Sequence, residues 1–396
     1  MDITIKPRPL RGEVTVIPSK SMAHRLLICS AFADRPTELL CPESNRDMDA
    51  TAECLRALGA EIQHTETGFA VYPAKAIPAS AVLPCGESGS TLRFLLPVVG
   101  ALGVDATFQM EGRLPQRPLS PLWEEMERMG CTLFRPTENT VRCTGKLIAG
   151  AYSISGNVSS QYITGLLLAL SLMEEENTLE ITGKVESRPY IDMTGEVLSL
   201  FGADSAKPGS RKLRSPGQVA VEGDWSNAAF WLAANELESN IKISGLNFDS
   251  CQGDRAVLDI LPMLRTDCPT VSAADIPDLV PILSVVAAAK NGAVFTDIQR
   301  LRLKESDRVA SVIAMIEALG GTARATETTL SVAGTGLKSG TVDACNDHRI
   351  AMAAAMAATV CKEQVTILGA ECVSKSYPRF WEEYSRLGGN YEQYLR

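Results

Sequence analysis

The sequence is poor in the residues from which metal sites and disulfide frameworks are built. Only three histidines occur among its 396 residues, and its eleven cysteines include no Cys-X-X-Cys pair. Zinc sites need such closely spaced ligands, so the sequence predicts no metal site. Cysteines without a paired pattern are interpreted as reduced, mostly buried thiols, which is typical of a reducing compartment.

An excess of basic residues and long apolar segments are also missing. The net charge of −9 argues against a general binder of nucleic acid or membrane surfaces, because such partners need an extended basic face. Residues 1–14 lack the apolar core of a signal peptide, and the apolar stretch 350–361 is shorter than the ~20 residues that span a bilayer. We therefore expect a soluble cytoplasmic protein that acts on small molecules.

Six similar α/β repeats are predicted from two alternating helical patterns. The first is amphipathic and ends in an apolar residue followed by glycine, the usual helix C-cap; a version without glycine ends near Leu264-Arg265. The glycine stops are Leu58-Gly59, Met129-Gly130, Phe201-Gly202, Leu319-Gly320 and Leu387-Gly388. A chain of this length suits about two domains, so three repeats are expected in each of two lobes.

The second helical pattern is apolar on nearly every side, which indicates helices buried all round. It is predicted over 22–33, 92–102, 162–173, 228–235, 279–289 and 350–360. Polar residues precede each of these helices. Helix N-termini favour anions, so the six leaders together indicate an anion site, whereas each leader taken alone is more simply interpreted as an N-cap.

Charged clusters accompany several of these leaders. Lys20 and Arg25 lie near the start of the first buried helix, and the run 304–308 (KESDR) contains two bases and two acids. On a surface helix such a run forms salt bridges, but a carboxylate beside a lysine also suits proton transfer. His348 and Arg349 begin a buried helix, where charge is costly.

Taken together, these motifs resemble the EPSP synthase (3-phosphoshikimate 1-carboxyvinyltransferase) family of enolpyruvyl transferases. They occur in order along nearly the whole chain: Lys20-Ser21, GESGSTLR at 86–93, SSQ at 159–161, SRPYID at 187–192, IPD at 276–278, KESDR at 304–308, DHR at 347–349 and Lys375. The resemblance implies an α/β fold of two lobes, each of three βαβαββ repeats, with buried helices whose N-termini face the cleft between the lobes. It implies lobes of 1–12 plus 224–396 and of 13–223, an active site in the cleft, no cofactor and a monomer.

The resemblance also implies the reaction and the residues that perform it. The enolpyruvyl group of phosphoenolpyruvate would pass to the 5-hydroxyl of shikimate 3-phosphate with release of phosphate, a step of aromatic amino acid biosynthesis. Asp278 is expected to take the hydroxyl proton, and Glu305 and Lys20 to handle the methylene and phosphate protons. Phosphoenolpyruvate would contact Lys20, Gly89, Arg117, Gln161, Arg308, Arg349 and Lys375. Shikimate 3-phosphate would contact Ser21, Arg25, Ser159, Ser160, Gln161, Ser187, Tyr190, Asp278 and Lys304. His348 is expected to support the site by hydrogen bonding or to be structural.

Two other functions are compatible with parts of the sequence. A UDP-N-acetylglucosamine enolpyruvyl transferase has the same fold, but relatives of that type carry a reactive cysteine in the loop equivalent to 111–120, where this chain has none. A non-catalytic repeat protein that binds phosphorylated ligands would not need the carboxylates of Asp278 and Glu305. Glu87 is a departure from the resemblance, since many relatives have asparagine there.

Overall fold

Two compact units make up the protein, whose computed structural model describes residues 1–209 and 212–394. Unit 1 comprises Met1–Ile17 and Gly223–Arg396, and unit 2 comprises Pro18–Glu222. The expected lobes differ from these units at residues 13–17 and 223, which belong to unit 1. Residues 210–211 and 395–396 of the expected lobes lie outside the described residues.

The helices of the described residues alternate between buried and amphipathic ones, as the sequence predicts. The buried helices are α1 Lys20–Ala31, α3 Gly89–Leu102, α5 Ser160–Leu170, α7 Trp225–Glu236, α9 Val280–Ala289 and α11 His348–Ala357. Between them lie α2 Arg46–Ala57, α4 Leu122–Arg128, α6 Arg188–Leu200, α8 Val257–Thr266, α10 Arg308–Ala318 and α12 Phe380–Arg386. None of these described helices is long and apolar enough to cross a membrane.

The strands are short and mostly belong to four-stranded sheets. In unit 2 and the start of unit 1 they are β1 Asp2–Lys6, β2 Arg11–Thr15, β3 Thr37–Leu40, β4 Glu61–Thr65, β5 Gly68–Tyr72, β6 Ser80–Gly86, β7 Asp105–Met110, β8 Cys131–Phe134, β9 Thr140–Gly145, β10 Ala151–Ser155, β11 Thr178–Thr182 and β12 Gln218–Ala220. Those that follow are β13 Asn240–Ser244, β14 Thr270–Ser272, β15 Gly292–Thr296, β16 Thr322–Ala325, β17 Thr329–Ala333, β18 Gly340–Asp343, β19 Val365–Leu368 and β20 Asn390–Tyr394.

Each unit has the same set of sheets within the described residues. Unit 2 contains the sheets β6-β7-β9-β8 and β12-β3-β5-β4 and the parallel pair β10-β11. Unit 1 contains β14-β15-β17-β16 and β18-β19-β1-β20 and the parallel pair β13-β2. In every four-stranded sheet a parallel pair is followed by two antiparallel strands. Three repeats per unit follow from this pattern, and the third repeat has two strands instead of four.

The glycine stops of the sequence end the amphipathic helices because they adopt positive φ. Gly59 has φ 102° just beyond α2, and Gly130 has φ 105° just beyond α4. Both conformations favour glycine, and in both cases a short strand follows at once. The packing of each unit around buried helices is thereby set by local sequence signals.

Helices α3 and α5 pack closely because Gly165 lies at their contact. A Cβ atom at this position would overlap the carbonyl oxygen of Arg93 and lie 2.9 Å from Cγ of Pro97, both in α3. The contact fixes how the starts of the two helices, which carry candidate site residues, are placed within unit 2.

We expect Gly165→Ala to destabilise the protein by about 1–3 kcal/mol, because the added methyl group forces α5 away from α3. The matched control is Gly195→Ala in α6, where the new Cβ meets no backbone atom and approaches only the Ser205 side chain, with its hydroxyl at 3.1 Å. Alanine is the better helix former, so the control should be neutral or slightly stabilising. Urea denaturation of both variants measures the difference, and equal midpoints would contradict the close-contact interpretation.

Candidate active site

Polar side chains from two repeats of unit 1 meet around the buried guanidinium of Arg308, the first residue of α10. We call this group the Arg308 cluster. Its members precede or begin α9, α10 and α11, so successive buried and amphipathic helices supply it. They are Asp278, Lys304, Glu305, Ser306, Arg308, Asp347 and Arg349.

The Arg308 side chain is 1% exposed and is bound by three carboxylates. Its Nε donates to Asp347 Oδ2 at 2.8 Å, its Nη2 donates to Glu305 Oε2 at 2.6 Å, and its Nη1 donates to Asp278 Oδ1. A buried charge is costly unless it is paired and hydrogen-bonded. Arg308 therefore holds these carboxylates in fixed positions.

Asp278 is the most heavily paired acid of the cluster. Besides Arg308, it lies 3.3 Å from Lys304 Nζ and 3.5 Å from Arg349 Nη2. Burial alone would raise the pKa of its carboxyl, but the positive charges of Lys304, Arg349 and Arg308 hold that pKa well below its ordinary value. The surrounding cations thus favour the ionised form of Asp278.

Two cations of the cluster have capacity for an anionic ligand. The Nε and Nη1 atoms of Arg349 are buried and have no hydrogen-bond partner in the described part of the chain. Burial lowers the pKa of Lys304, although Asp278 opposes this shift. Lys375 lies near the start of α11, because its Nζ donates to the backbone oxygen of Asn346 at 2.9 Å. His348 is buried as the first residue of α11.

A second group lies in unit 2, at the starts of α1, α2 and α3. Lys20 Nζ is 3.0 Å from Asp47 Oδ2, and both side chains are mostly buried. A Cβ atom added at Gly89 would lie 2.7 Å from Arg93 Nη1 and 2.8 Å from Arg117 Nη1. Two guanidinium groups thus approach the backbone at Gly89, which leaves no room for a side chain.

Gln161 connects α5 to this second group. Its Oε1 accepts from Arg93 Nη1 at 2.9 Å, and its Nε2 donates to Ser90 Oγ at 3.0 Å. Nε of Arg117 is buried without a hydrogen-bond partner among the described residues. Side chains from α3, α5 and the turn before α4 therefore meet at one place, and their charge is positive.

Arg25 is tied mainly to the protein. It donates to Thr194 Oγ1 at 2.9 Å, to Thr164 Oγ1 at 3.2 Å, and to the backbone oxygens of Ser21 and Tyr190 at 2.6 and 2.7 Å. These bonds use most of the donors of a guanidinium. Arg25 therefore holds the turns that carry Ser21 and Tyr190 in place.

The remaining predicted residues lie at helix starts of unit 2. Ser159 is the N-cap of α5 and accepts from the backbone N–H of Gln161 at 3.3 Å, with Ser160 buried directly after it. Ser187 precedes α6 with φ 54°, an unusual backbone conformation for serine, and Tyr190 lies in the first turn. The Glu87 carboxylate lies against Gly112.

The N-cap interpretation is correct for four of the six polar leaders. The side chains of Ser88, Ser159, Asp224 and Asp347 each accept a hydrogen bond from a backbone N–H in the first turn of the following helix. At the other two leaders no side-chain cap is formed, and Lys20 and Asp278 instead pair with opposite charges. Capping and charge pairing are thus divided among the leaders.

Sequence reasoning missed two acids that organise the site. Asp347 caps α11 and also binds Arg308 and, at 3.0 Å, the Ser306 hydroxyl, while Asp47 holds Lys20. Asp347 is part of the leader of α11 and of the DHR motif, but neither pattern indicates that it pairs with Arg308. Asp47 offered no signal at all, because its partner is 27 residues away.

The arrangement of both groups favours anionic ligands. Buried guanidinium and ammonium groups beside helix starts are suited to phosphates and carboxylates. Within the described residues no group of three or more His, Cys, Asp or Glu side chains is placed to hold a metal ion.

Comparison with known proteins gives a consistent result. A model of the EPSP synthase (3-phosphoshikimate 1-carboxyvinyltransferase) family matches residues 5–384. The 3-phosphoshikimate 1-carboxyvinyltransferase of Clostridium kluyveri is 34% identical, and that of Clostridium acetobutylicum is 36% identical; each match covers 99% of this chain and 98% of the relative.

Solved structures share the fold. An EPSP synthase from Acinetobacter baumannii has a TM-score of 0.80 at 23% identity and covers 99% of this chain and 100% of its own. The enolpyruvyl transferase NikO from Streptomyces tendae has a TM-score of 0.76 at 19% identity, with coverage of 99% and 98%. These likenesses confirm the predicted two-lobed α/β fold.

We expect Asp347→Ala to destabilise the protein by about 3–5 kcal/mol, because it leaves the buried Arg308 charge without its one fully buried carboxylate partner among the three. The matched control is Asp307→Ala, which removes the N-cap of α10 at a side chain that is 40% exposed. Loss of that cap should cost about 1 kcal/mol. Chemical denaturation of the two variants tests this ranking, and equal losses would show that Asp347 acts as a cap alone.

Proposed function

We propose a division of roles among these residues, starting from the fact that this chain belongs to the EPSP synthase (3-phosphoshikimate 1-carboxyvinyltransferase) family. Enzymes of this family transfer the enolpyruvyl group of phosphoenolpyruvate to shikimate 3-phosphate in the shikimate pathway, and this is the reaction of the chain. The roles below are argued from the contacts within each unit.

The reaction is an addition followed by an elimination. The 5-hydroxyl oxygen of shikimate 3-phosphate forms a bond to C2 of phosphoenolpyruvate while the methylene carbon, C3, gains a proton and the hydroxyl loses one. The tetrahedral intermediate then expels phosphate as C3 gives up a proton and the double bond is restored. The enzyme must supply a base, an acid and several cations.

In unit 1, Asp278 is proposed to take the hydroxyl proton. In the free enzyme it is a weak base, because Lys304, Arg349 and Arg308 stabilise its ionised form. Substrate phosphate and carboxylate groups that bind these cations weaken their hold on Asp278 and raise its proton affinity. The base is thereby strengthened only when the substrates are present.

Glu305 and Lys20 are proposed to handle the protons of the methylene carbon and the leaving phosphate. Glu305 is 26% exposed and is fixed by Arg308, so its position is defined while the carboxyl stays accessible to a ligand. Lys20 is 15% exposed and is fixed by Asp47. Arg308 thus holds Glu305 in place, and Asp47 holds Lys20, each through an ion pair.

The remaining residues are proposed to bind the substrates. Phosphoenolpyruvate is assigned to Lys20, Gly89, Arg117, Gln161, Arg308, Arg349 and Lys375. Shikimate 3-phosphate is assigned to Ser21, Ser159, Ser160, Gln161, Ser187, Tyr190, Asp278 and Lys304, with Arg25 mainly orienting Ser21 and Tyr190. His348 is proposed to support Arg349 from the start of α11.

The observation that carries the proposal is Asp278 with its three cations in unit 1. A module that only bound phosphates would gain nothing from a carboxylate at the centre of its cations, since the acid repels the ligand. A UDP-N-acetylglucosamine enolpyruvyl transferase is disfavoured by the names of the relatives and by the absence of cysteine from residues 111–120.

Location and assembly are proposed from weaker support. We propose that the enzyme works in the cytoplasm as a monomer, without nucleic-acid or membrane partners. Eight of the eleven cysteines are buried, and the net charge is −9. Both fit a reducing compartment and small anionic substrates held by a local basic group.

Phosphate release from phosphoenolpyruvate tests the substrate. We expect release with shikimate 3-phosphate as co-substrate and none with UDP-N-acetylglucosamine, and we expect EDTA to leave the rate unchanged because no metal site is predicted. Release with the UDP-sugar alone would overturn the substrate, and release with neither would overturn the assigned reaction.

Replacing the proposed base tests its role. Asp278→Asn should lower the turnover number by about 10²–10⁴-fold, the usual contribution of a general base. It should also lower the melting temperature, because it removes one negative charge from among three cations, and shikimate 3-phosphate should restore more stability to the variant than to the wild type.

The matched control for that variant is Asp275→Asn, an exposed acid of the same loop, which should keep normal turnover. A turnover number for Asp278→Asn within tenfold of the wild type would remove Asp278 from the chemistry.

A further inference from the structure

Asp254 supplies a buried carboxyl group that has no role in the reaction described above. It lies in the 3-10 helix Gly253–Ala256 and is 2% exposed. Its Oδ2 is hydrogen-bonded to the Ser226 hydroxyl, whereas its Oδ1 is buried without a partner among the described residues. The neighbouring Arg255 donates instead to the backbone oxygen of Phe248 at 2.9 Å. A buried carboxylate with one unpaired oxygen is costly, so this geometry favours the neutral acid.

One face of α7 connects Asp254 to the proposed active site. Ser226, which binds Asp254, and Phe230 are four residues apart and lie on the same side of the helix. The guanidinium of Arg349 lies over the Phe230 ring, 6.0 Å from its centroid, and its Nη2 is 3.5 Å from Asp278. Asp254 and the arginine assigned to the substrate carboxylate therefore contact residues of α7 that are one helical turn apart.

The charged groups that face Asp254 come from three elements. They are Asp224 at the N-cap of α7, Asp278 before α9 and Arg349 in α11. Burial, together with the negative charges of Asp278 and Asp224, raises the pKa of Asp254 to about 7, against the opposite effects of Arg349 and the Ser226 hydrogen bond. Both charge states of Asp254 are consequently populated near neutral pH.

We propose that Asp254 is a positioning residue whose ionisation controls how strongly Arg349 holds the carboxylate of the substrate. When Asp254 is neutral, the positive charge of Arg349 interacts with Asp278 and with the ligand. Ionised Asp254 adds a further negative charge beside the arginine and repels the incoming anion. This inference rests on the proposed function, in which Arg349 binds phosphoenolpyruvate.

The sign of the pH dependence follows from linkage. An anion bound near Asp254 raises its pKa further, so binding of phosphoenolpyruvate is accompanied by uptake of a proton. Below neutral pH the group is neutral in both the free and the bound enzyme, and affinity is not affected. As the pH rises through the pKa of the free enzyme, the KM for phosphoenolpyruvate increases, up to about tenfold for each unit by which the ligand raises that pKa.

The experiment measures KM for phosphoenolpyruvate from pH 6 to pH 8.5, at saturating shikimate 3-phosphate, in the wild type and in Asp254→Asn. Asparagine has the shape of the neutral acid and cannot ionise. The ratio of the wild-type KM to the variant KM should be about one at pH 6 and should rise to roughly threefold or more at pH 8.5. Ionisation of phosphoenolpyruvate itself affects both proteins equally and cancels in the ratio, and the turnover number should change much less than KM.

Two further variants distinguish this role from a purely structural one. Ser226→Ala removes the hydrogen bond that favours the ionised form, so the increase in KM should begin at a higher pH than in the wild type. Asp249→Asn, an exposed acid shortly before Asp254 in the chain, should follow the wild-type profile at every pH. Ser226→Ala retains Asp254 and tests the proposal even if Asp254→Asn does not fold.

A constant KM ratio across this pH range, or an unshifted profile for Ser226→Ala, would overturn the role of Asp254 while the proposed function stood. If the wild type released no phosphate with shikimate 3-phosphate, the proposed function itself would fail, and the inference with it. The first failure would be seen in the pH profile of KM and the second in the phosphate-release assay, so the two are distinguishable.

Discussion

The burial of Arg308 is the constraint on which the candidate site of unit 1 depends. A guanidinium that is 1% exposed needs counter-charges, and Asp347, Asp278 and Glu305 supply them from three separate stretches of chain. Because each carboxylate is fixed by the same cation, their mutual positions are fixed as well. The ion pairs that stabilise this part of unit 1 are therefore the same ones that fix the geometry of the candidate site.

The repeat architecture explains how such a cluster arises. Each repeat begins a buried helix with a polar leader, and four leaders satisfy the first turn of their helix with an ordinary N-cap. Asp347 caps α11 and binds Arg308 at once, so a local folding signal also serves a long-range pairing. Where no cap is formed, as at Lys20 and Asp278, a residue of the leader pairs with an opposite charge instead. Equivalent positions in the repeats thus serve either to cap a helix or to form an ion pair.

Much of the fold could be predicted from the sequence because its signals are local. Apolar surroundings indicate the buried helices, and glycines such as Gly59 and Gly130 mark where amphipathic helices end, at positive φ. The two-stranded third repeats could not be predicted, since the pairing of β2 with β13 joins residues 229 positions apart. That pairing also accounts for residues 13–17 belonging to unit 1.

The candidate site was predictable only in part, for a related reason. Motifs identified Asp278, Glu305 and Arg349, but their partners were not evident because pairing depends on tertiary distance. Asp47 and Asp254 belong to no motif, and the four hydrogen bonds of Arg25 are visible only in the folded chain. The three cations around Asp278 likewise become evident only in the folded chain.

The position of β1 has a consequence for the order in which the chain assembles during synthesis. Strand β1 lies between β19 and β20, so its hydrogen bonds cannot be complete until residues 390–394 have been made. Unit 2 is formed by one continuous stretch, and its sheet closes when β12 joins β3. On the ribosome unit 2 can therefore reach its native contacts while most of unit 1 is still unmade, and β1 remains without its neighbouring strands until β19 and β20 have been synthesised.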